Sequence, residues 1–159
     1  MNLATKPFPE MKVCFERMKI RHVREVLSIE TAVFPFPWEH ASFVSCVAND
    51  YECGVMNDQS DAVVGYFIVM KVVDEAHLLT FAIRGDAQGQ GLGRILLEKV
   101  IAVARGIGMD SVFLEVRDTN QRARDLYSHL NFIEIGRRKN YYPAGGNTRE
   151  DAIMMRLPL

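Results

Sequence analysis

The chain has 159 residues, 48% of them hydrophobic, which suffices for one domain around one core and argues against a disordered polymer. Its net charge of −1 excludes a general nucleic-acid binder, whose surface would be strongly basic. Three cysteines, Cys14, Cys46 and Cys53, show no metal spacing and read as reduced thiols in a cytoplasmic protein. Residues 1–12 carry two prolines and no long apolar stretch, so a loose N-terminal extension is expected there, not a signal peptide. A single domain is expected over 13–159. A short strand is predicted over 13–18 and a helix over 20–33, where Ile20, Val23, Val26, Leu27 and Ile29 recur at helical spacing. Prolines at alternate positions in Phe34-Pro35-Phe36-Pro37-Trp38 end that helix. A second helix is predicted over 38–47. Strands follow over 51–56, 62–73 and 76–83, rich in Val, Ile, Tyr and Phe and joined by polar turns. A third helix is predicted over 91–106, with Leu92, Ile95, Leu96, Val100 and Val103 on its buried face and Leu97 and Ile101 widening it. A strand over 111–116, a fourth helix over 120–130, a strand over 132–136, a polar loop over 137–149 and a last strand over 151–157 complete the chain. No apolar run reaches the length of a membrane span.

The order β-αα-βββ-α-β-α-ββ predicts an α/β fold: a mixed central sheet of about seven strands with about four helices on both faces. Its most informative stretch runs from Leu78 to Arg94. An apolar strand becomes a Gly/Gln loop with Gly89, Gly91 and Gly93 at alternate positions, and the third helix starts directly after it. Glycines allow close backbone approach to a ligand, and a helix start offers free N–H groups and a positive dipole end. Together they suit a phosphate-bearing ligand. A dinucleotide fingerprint would need glycine where Arg94 stands, and a Walker A loop would need Gly-Lys-Ser/Thr. What remains is Gln-x-x-Gly-x-Gly, filled by Gln88, Gly91 and Gly93.

The second informative block runs from Leu114 to Tyr127. Glu115 is a carboxylate on an otherwise apolar strand; it either faces solvent or is buried and functional, and burial would move it toward the range of a general base. Asn120 and Tyr127 lie seven residues apart and share a helix face. Asn120 can cap the helix or hold a carbonyl. Tyr127 can donate its phenol proton or simply pack in the core. His22, His40, His77 and His129 are scattered, so no metal site is expected.

The loop resembles the acetyl-CoA pyrophosphate loop of the GCN5-related N-acetyltransferases. The block Leu-Glu-Val-Arg-x-x-Asn-x-x-Ala-x-x-Leu-Tyr, with Phe36-Pro37-Trp38, Asn140-Tyr141-Tyr142-Pro143 and Arg149-Glu150-Asp151-Ala152, is similar to the bacterial ribosomal-protein-alanine N-acetyltransferases over about residues 20–157. That resemblance implies acetyl-CoA as co-substrate and direct attack by a protein α-amine, with alanine as the expected N-terminal residue. It implies Glu115 as general base and Tyr127 as general acid. The strand backbone at Phe81, Ala82 and Ile83 would pair with the pantetheine arm. Gln88, Gly89, Gln90, Gly91, Leu92, Gly93 and Arg94 would hold the pyrophosphate, and Asn120 would bond the cofactor. Trp38, Tyr141 and Tyr142 would wall the peptide entrance, the two tyrosines from a loop. The implied partner is the N-terminal segment of a ribosomal protein, with no direct nucleic acid, no membrane, and a monomer or weak dimer. Arg84-Gly85-Asp86-Ala87 departs from the family's usual residues at a place where it could loosen the loop. Two rivals stay open: an acetyltransferase for internal lysine or a small amine, and a non-catalytic acyl-CoA-binding module.

Overall fold

The computed structural model describes residues 11–159. The expected N-terminal extension lies, up to residue 10, outside the described residues. The strands are β1 (Cys14–Arg17), β2 (Glu52–Asn57), β3 (Val63–Val72), β4 (Glu75–Ile83), β5 (Ser111–Arg117), β6 (Ile133–Pro143) and β7 (Arg149–Pro158). The helices are α1 (Val23–Val33), α2 (His40–Ala48), α3 (Leu92–Gly106) and α4 (Gln121–His129). All seven strands form one sheet in the order β1-β2-β3-β4-β5-β7-β6. Every neighbouring pair is antiparallel except β4 and β5. The expected mixed sheet with helices on both faces is therefore present.

Two apolar clusters hold the layers together. Leu92, Leu96, Leu97, Val100 and Ala104 of α3 and Tyr127 of α4 pack on one face, with Leu78 and Leu114 beneath them. Val23, Val26 and Ile29 of α1 and Phe43 and Cys46 of α2 pack on the other, over Val55, Tyr66 and Ile68. The helical spacing that selected these residues is the reason they share a face. Ile95, expected on the buried face of α3, is 40% exposed. It sits at the rim of the stripe, beside the exposed Arg94.

Two expectations need correction. Residues 137–149 do not form a loop: β6 continues to Pro143, and only residues 144–148 connect it to β7. β6 is the edge strand, with almost every side chain in solvent, so its composition is that of a loop while its backbone pairs with β7. Trp38 precedes α2 rather than starting it. Glu39 is the extended N-cap, and Trp38 stays in the connection from α1. At Arg84–Ala87, where the sequence departs from the family's usual residues, the chain forms a tight turn. Gly85–Ala87 form a 3₁₀ turn; the Arg84 guanidinium pairs with Asp86 at 2.6 Å, and the Ala87 methyl is fully buried.

Candidate active site

β4 and β5 pair in register from Glu75↔Ser111 to Leu78↔Leu114, and there the pairing stops although both strands continue. The register of β4 against β3 shifts at the same level. Val69 faces Leu78 but Ile68 faces Thr80, so Leu79 is an extra residue in β4. The bulge changes which residues face which cluster. Before it, Ala76 and Leu78 pack under α3; after it, Ile83 and Phe81 do so, and Ala82 packs under α1. Beyond the bulge the two parallel strands separate, and the β5-facing edge of residues 79–83 has no strand partner. A cleft of about 820 Å³ opens between them. Backbone N–H and C=O groups on such an edge are available to an extended ligand.

Phe81, Ala82 and Ile83 line the cleft from β4. At its far end lies the glycine loop. The Gln88 side-chain amide donates to the Ile83 carbonyl at 2.9 Å and ties the loop to the end of β4. Gly89 and Gly91 take φ of 79° and 81°, a left-handed backbone that favours glycine. Gly91 is the N-cap of α3, so the free N–H groups of the first turn open into the cleft with Leu92, Gly93 and Arg94.

Gly93 is the most telling of the three. Its φ is ordinary, and an added Cβ would meet only Leu126 Cδ2 at 3.7 Å, a normal contact. Glycine in a helix costs about 0.8–1 kcal/mol relative to alanine. The protein's own packing does not require that cost, but close approach of a bulky anion does. The loop therefore fits a pyrophosphate. Arg122 adds positive charge nearby, with its guanidinium 3.4 Å from the Gln88 side-chain oxygen.

Asn120 caps α4, its side-chain oxygen accepting from the Ala123 N–H at 3.2 Å. The cap engages the oxygen, and Asn120 also lines the cleft. Glu115 reaches the cleft from β5, beside the point of separation. Alternation along β5 buries Val112, Leu114 and Val116 under α3 and α4 and puts Glu115 on the opposite face. Its side chain is only 19% exposed. One carboxylate oxygen is buried without a hydrogen bond; the Arg138 Nε stands 3.5 Å from it, near enough for attraction but outside hydrogen-bond geometry.

Tyr127 closes the cleft from α4. Its ring lies between Phe81 and Phe132, with centroids 6.1 and 5.6 Å away. Burial, and then the neighbouring Tyr142, hold its phenol well above the usual tyrosine range, so it stays protonated at neutral pH. Two further walls complete the cleft. One is the α1–α2 connection with Phe36 and Trp38; the other is β6 with Tyr142 and Pro143. Arg117 bridges them. Its guanidinium lies over the Phe36 ring at 5.4 Å and the Tyr142 ring at 4.5 Å, and donates to the Pro143 carbonyl at 2.8 Å. A register shift between Arg138 and Tyr142, with Asn140 at φ 50°, turns β6 toward the cleft. Burial, with the Glu115 charge next, pushes the Tyr142 phenol up to about 12.

Of the residues singled out from sequence, Gln90 and Tyr141 do not line the cleft. Tyr141 stacks edge-on against Tyr142 at 4.9 Å, 44% exposed, where the Glu115 charge helps raise its phenol after burial. Glu30 lines the cleft and was not anticipated. Its signal is nonetheless in the sequence. It stands four residues after Val26 and seven after Val23, on the apolar stripe of α1, where a carboxylate has no reason to be unless it has partners. Among the described residues no His, Cys, Asp or Glu cluster could hold a metal.

A cleft between parting parallel strands, with a glycine loop at one end and a carboxylate and a phenol at its middle, suits acyl transfer from a phosphate-bearing carrier. The comparisons with known proteins agree. A profile of the Acetyltransferase (GNAT) family matches residues 23–132, and the chain belongs to that family of N-acetyltransferases. Among its relatives is the [ribosomal protein bS18]-alanine N-acetyltransferase of Escherichia coli K12, 40% identical over 131 residues, which cover 82% of this chain and 87% of that protein. The crystal structure of the ribosomal-protein-S18-alanine N-acetyltransferase from Escherichia coli superposes with a TM-score of 0.86 at 35% identity, covering 92% of this chain and 94% of that one. The NatC complex bound to Gag peptide and CoA shares the fold, with a TM-score of 0.82 at 19% identity.

Proposed function

We propose that this enzyme transfers acetyl from acetyl-CoA to the α-amine of an N-terminal alanine on a ribosomal protein, bS18 being the acceptor named for its relatives. The observation that carries the mechanism is the meeting of Glu115 from β5 and Tyr127 from α4 in one cleft, at the level where β4 offers its free edge. Acetyl-CoA supplies the acetyl group as a thioester. Gln88, Gly89 and Gly91 to Arg94 hold its pyrophosphate, Asn120 donates to it, and the backbone of Phe81 to Ile83 pairs with its pantetheine arm. A backbone N–H near Ala82 polarises the thioester carbonyl. Glu115, directly or through a water, takes the proton of the incoming ammonium. The N–C bond forms, the C–S bond breaks, Tyr127 gives its proton to the departing sulfur, and the second proton lost by the nitrogen restores the phenol through solvent. Trp38 and Tyr142 wall the acceptor entrance, with Tyr141 packed behind Tyr142, and Arg117 fixes the distance between the walls. The enzyme works in the cytoplasm, as a monomer or weak dimer, without nucleic acid or membrane.

The choice of amine follows from basicity. An α-amino group has a pKa of about 7.7–8.0 and a lysine side chain about 10.4. Near pH 7.4 roughly a quarter of α-amines are neutral, against about one lysine in a thousand. One carboxylate serves the first far more easily. The test is a pair of matched peptides starting with alanine, one with a free α-amine and blocked lysine, the other reversed, followed by mass spectrometry. The α-amine is expected to react faster by a factor on the order of 10². Equal rates, or a preference for lysine, would assign the enzyme to internal-lysine acetylation.

A further inference from the structure

Glu30 is 2% exposed, and three elements converge on its two carboxylate oxygens. The Trp38 backbone N–H donates to Oε1 at 3.2 Å. The Thr80 hydroxyl donates to Oε2 at 3.1 Å, and the Tyr66 hydroxyl donates to the same oxygen. Among the described residues no cation pairs with Glu30. A buried carboxylate is costly unless its lone pairs are satisfied, and here three donors satisfy them. The donors come from the acceptor wall, from β3, and from the first residue of β4 beyond the bulge. Phe34 to Trp38 contains two prolines and lacks regular structure, so it has few backbone bonds of its own to fix it.

We propose that Glu30 is a positioning residue that pins the acceptor wall at Trp38 to β4 and so sets acceptor affinity, an inference that rests on Trp38 walling the acceptor entrance as proposed above. It touches neither reacting group. What matters is its reach. The side chain is long enough to hold Trp38 with one oxygen while the other stays on Tyr66 and Thr80. Glutamine keeps that reach, because its oxygen can accept from Trp38 and its NH₂ can donate to hydroxyl oxygens, which accept as readily as they donate. Aspartate keeps the charge but is one methylene too short to span both.

Trp38 is the only tryptophan in the chain, so its fluorescence reports the wall directly. The experiment compares wild type, Glu30→Gln and Glu30→Asp, first as enzyme alone by Trp38 emission and acrylamide quenching, then by steady-state kinetics with an alanine-starting peptide. Glu30→Gln is expected to keep the wild-type emission and an acceptor KM within about threefold. Glu30→Asp is expected to shift the emission to the red, to increase quenching, and to raise the acceptor KM about tenfold or more while the acetyl-CoA KM stays unchanged. The reverse order, with Glu30→Asp like wild type and Glu30→Gln impaired, would show that charge and not reach is at work and would overturn the proposal. Equal losses toward both substrates, or an unmoved Trp38 signal in Glu30→Asp, would overturn it too. If Glu30→Asp fails to fold, Tyr66→Phe carries the test: it keeps the buried ring and removes one donor. A wild-type Trp38 signal and acceptor KM in that variant overturn the proposal. Because the fluorescence is read without substrates, the pin can fail while α-amine acetylation by the wild type stands, and the converse.

Discussion

Gly93→Ala separates a glycine required by the fold from one required by a ligand. In the protein alone the new methyl would sit 3.7 Å from Leu126 Cδ2, in ordinary contact, at a backbone angle that suits alanine. Alanine also gains up to about 1 kcal/mol in helix propensity, less in a first turn. The Tm should therefore stay level or rise by up to about 4 °C. Gly91→Ala has the opposite effect on stability. It too meets open space, but at φ 81° an L side chain costs roughly 1–2 kcal/mol, so the Tm should fall by about 2–8 °C. Both methyls stand where the pyrophosphate would lie, and both should weaken CoA binding at least tenfold, about 1.4 kcal/mol. Calorimetric titration with CoA reads that directly. Thermal denaturation gives a second measure: CoA at a hundredfold excess over the wild-type Kd stabilises wild type by about 2.7 kcal/mol, and the same concentration stabilises a tenfold-weakened variant by only about 1.4 kcal/mol. If Gly93→Ala lost stability and kept its CoA affinity, the glycine would serve internal packing, and the loop would not be a pyrophosphate cradle.

Tyr127→Phe should lower kcat by up to about 10² without abolishing it, because a thiol of pKa near 8.5 leaves tolerably well unaided, and CoA binding should survive. Wild-type turnover in that variant would reduce Tyr127 to a packing residue. Glu115→Gln should depress the rate most at low pH, where the amine is mostly protonated; a loss independent of pH would count against Glu115 as the base. Raised phenol pKa values at Tyr66, Tyr127 and Tyr142 mean that the folded state holds protons which the unfolded state releases above pH about 10. Their contribution to stability is fully present below that pH and is lost as pH rises, for Tyr142 through about 12. Denaturation midpoints should fall over that range, and the phenolate absorbance of Tyr66 and Tyr127 should appear only with unfolding.

The parts of the fold that were legible were those that are buried. α1 and α3 show themselves by period, because burial of one face forces it, and the strands β2 to β5 by their runs of β-branched and aromatic residues, β2 and β3 being buried on both faces. β6 lies at the sheet edge with both faces largely wet, so neither alternation nor hydrophobicity marks it, and its arginines and asparagine resemble a loop. The site was legible wherever its chemistry lies in short motifs: the glycine loop, Glu115, Asn120 and Tyr127 all line the cleft. Glu30 and Arg117 escaped for a different reason. Their partners lie far along the chain, 50 residues away for Thr80 and 26 for Pro143, and no local pattern announces such pairs.

The bulge at Leu79 links these parts. Were β4 regular, it would keep pairing with β5 past Leu78, and no cleft would open. Its even-numbered residues would also go on facing α3, as Ala76 and Leu78 do, so Thr80 would point away from Glu30. One extra residue in β4 changes both outcomes. It turns Thr80 and Ala82 toward α1 and α2, and the free strand edge opens at the same level. β4 thereby has an unpaired edge at the cleft and, on its face, a Thr80 hydroxyl that donates to Glu30. On the binding mode proposed above, a single strand would align both substrates, and displacement of Thr80 relative to Trp38 would move the amine with respect to the thioester. On that mode the cofactor half would depend mainly on backbone groups, which the loop glycines keep accessible, and on the Asn120 side chain. The acceptor half would depend on side chains, Glu30, Arg117 and the aromatic walls, and acceptor specificity could change there without disturbing the transfer chemistry.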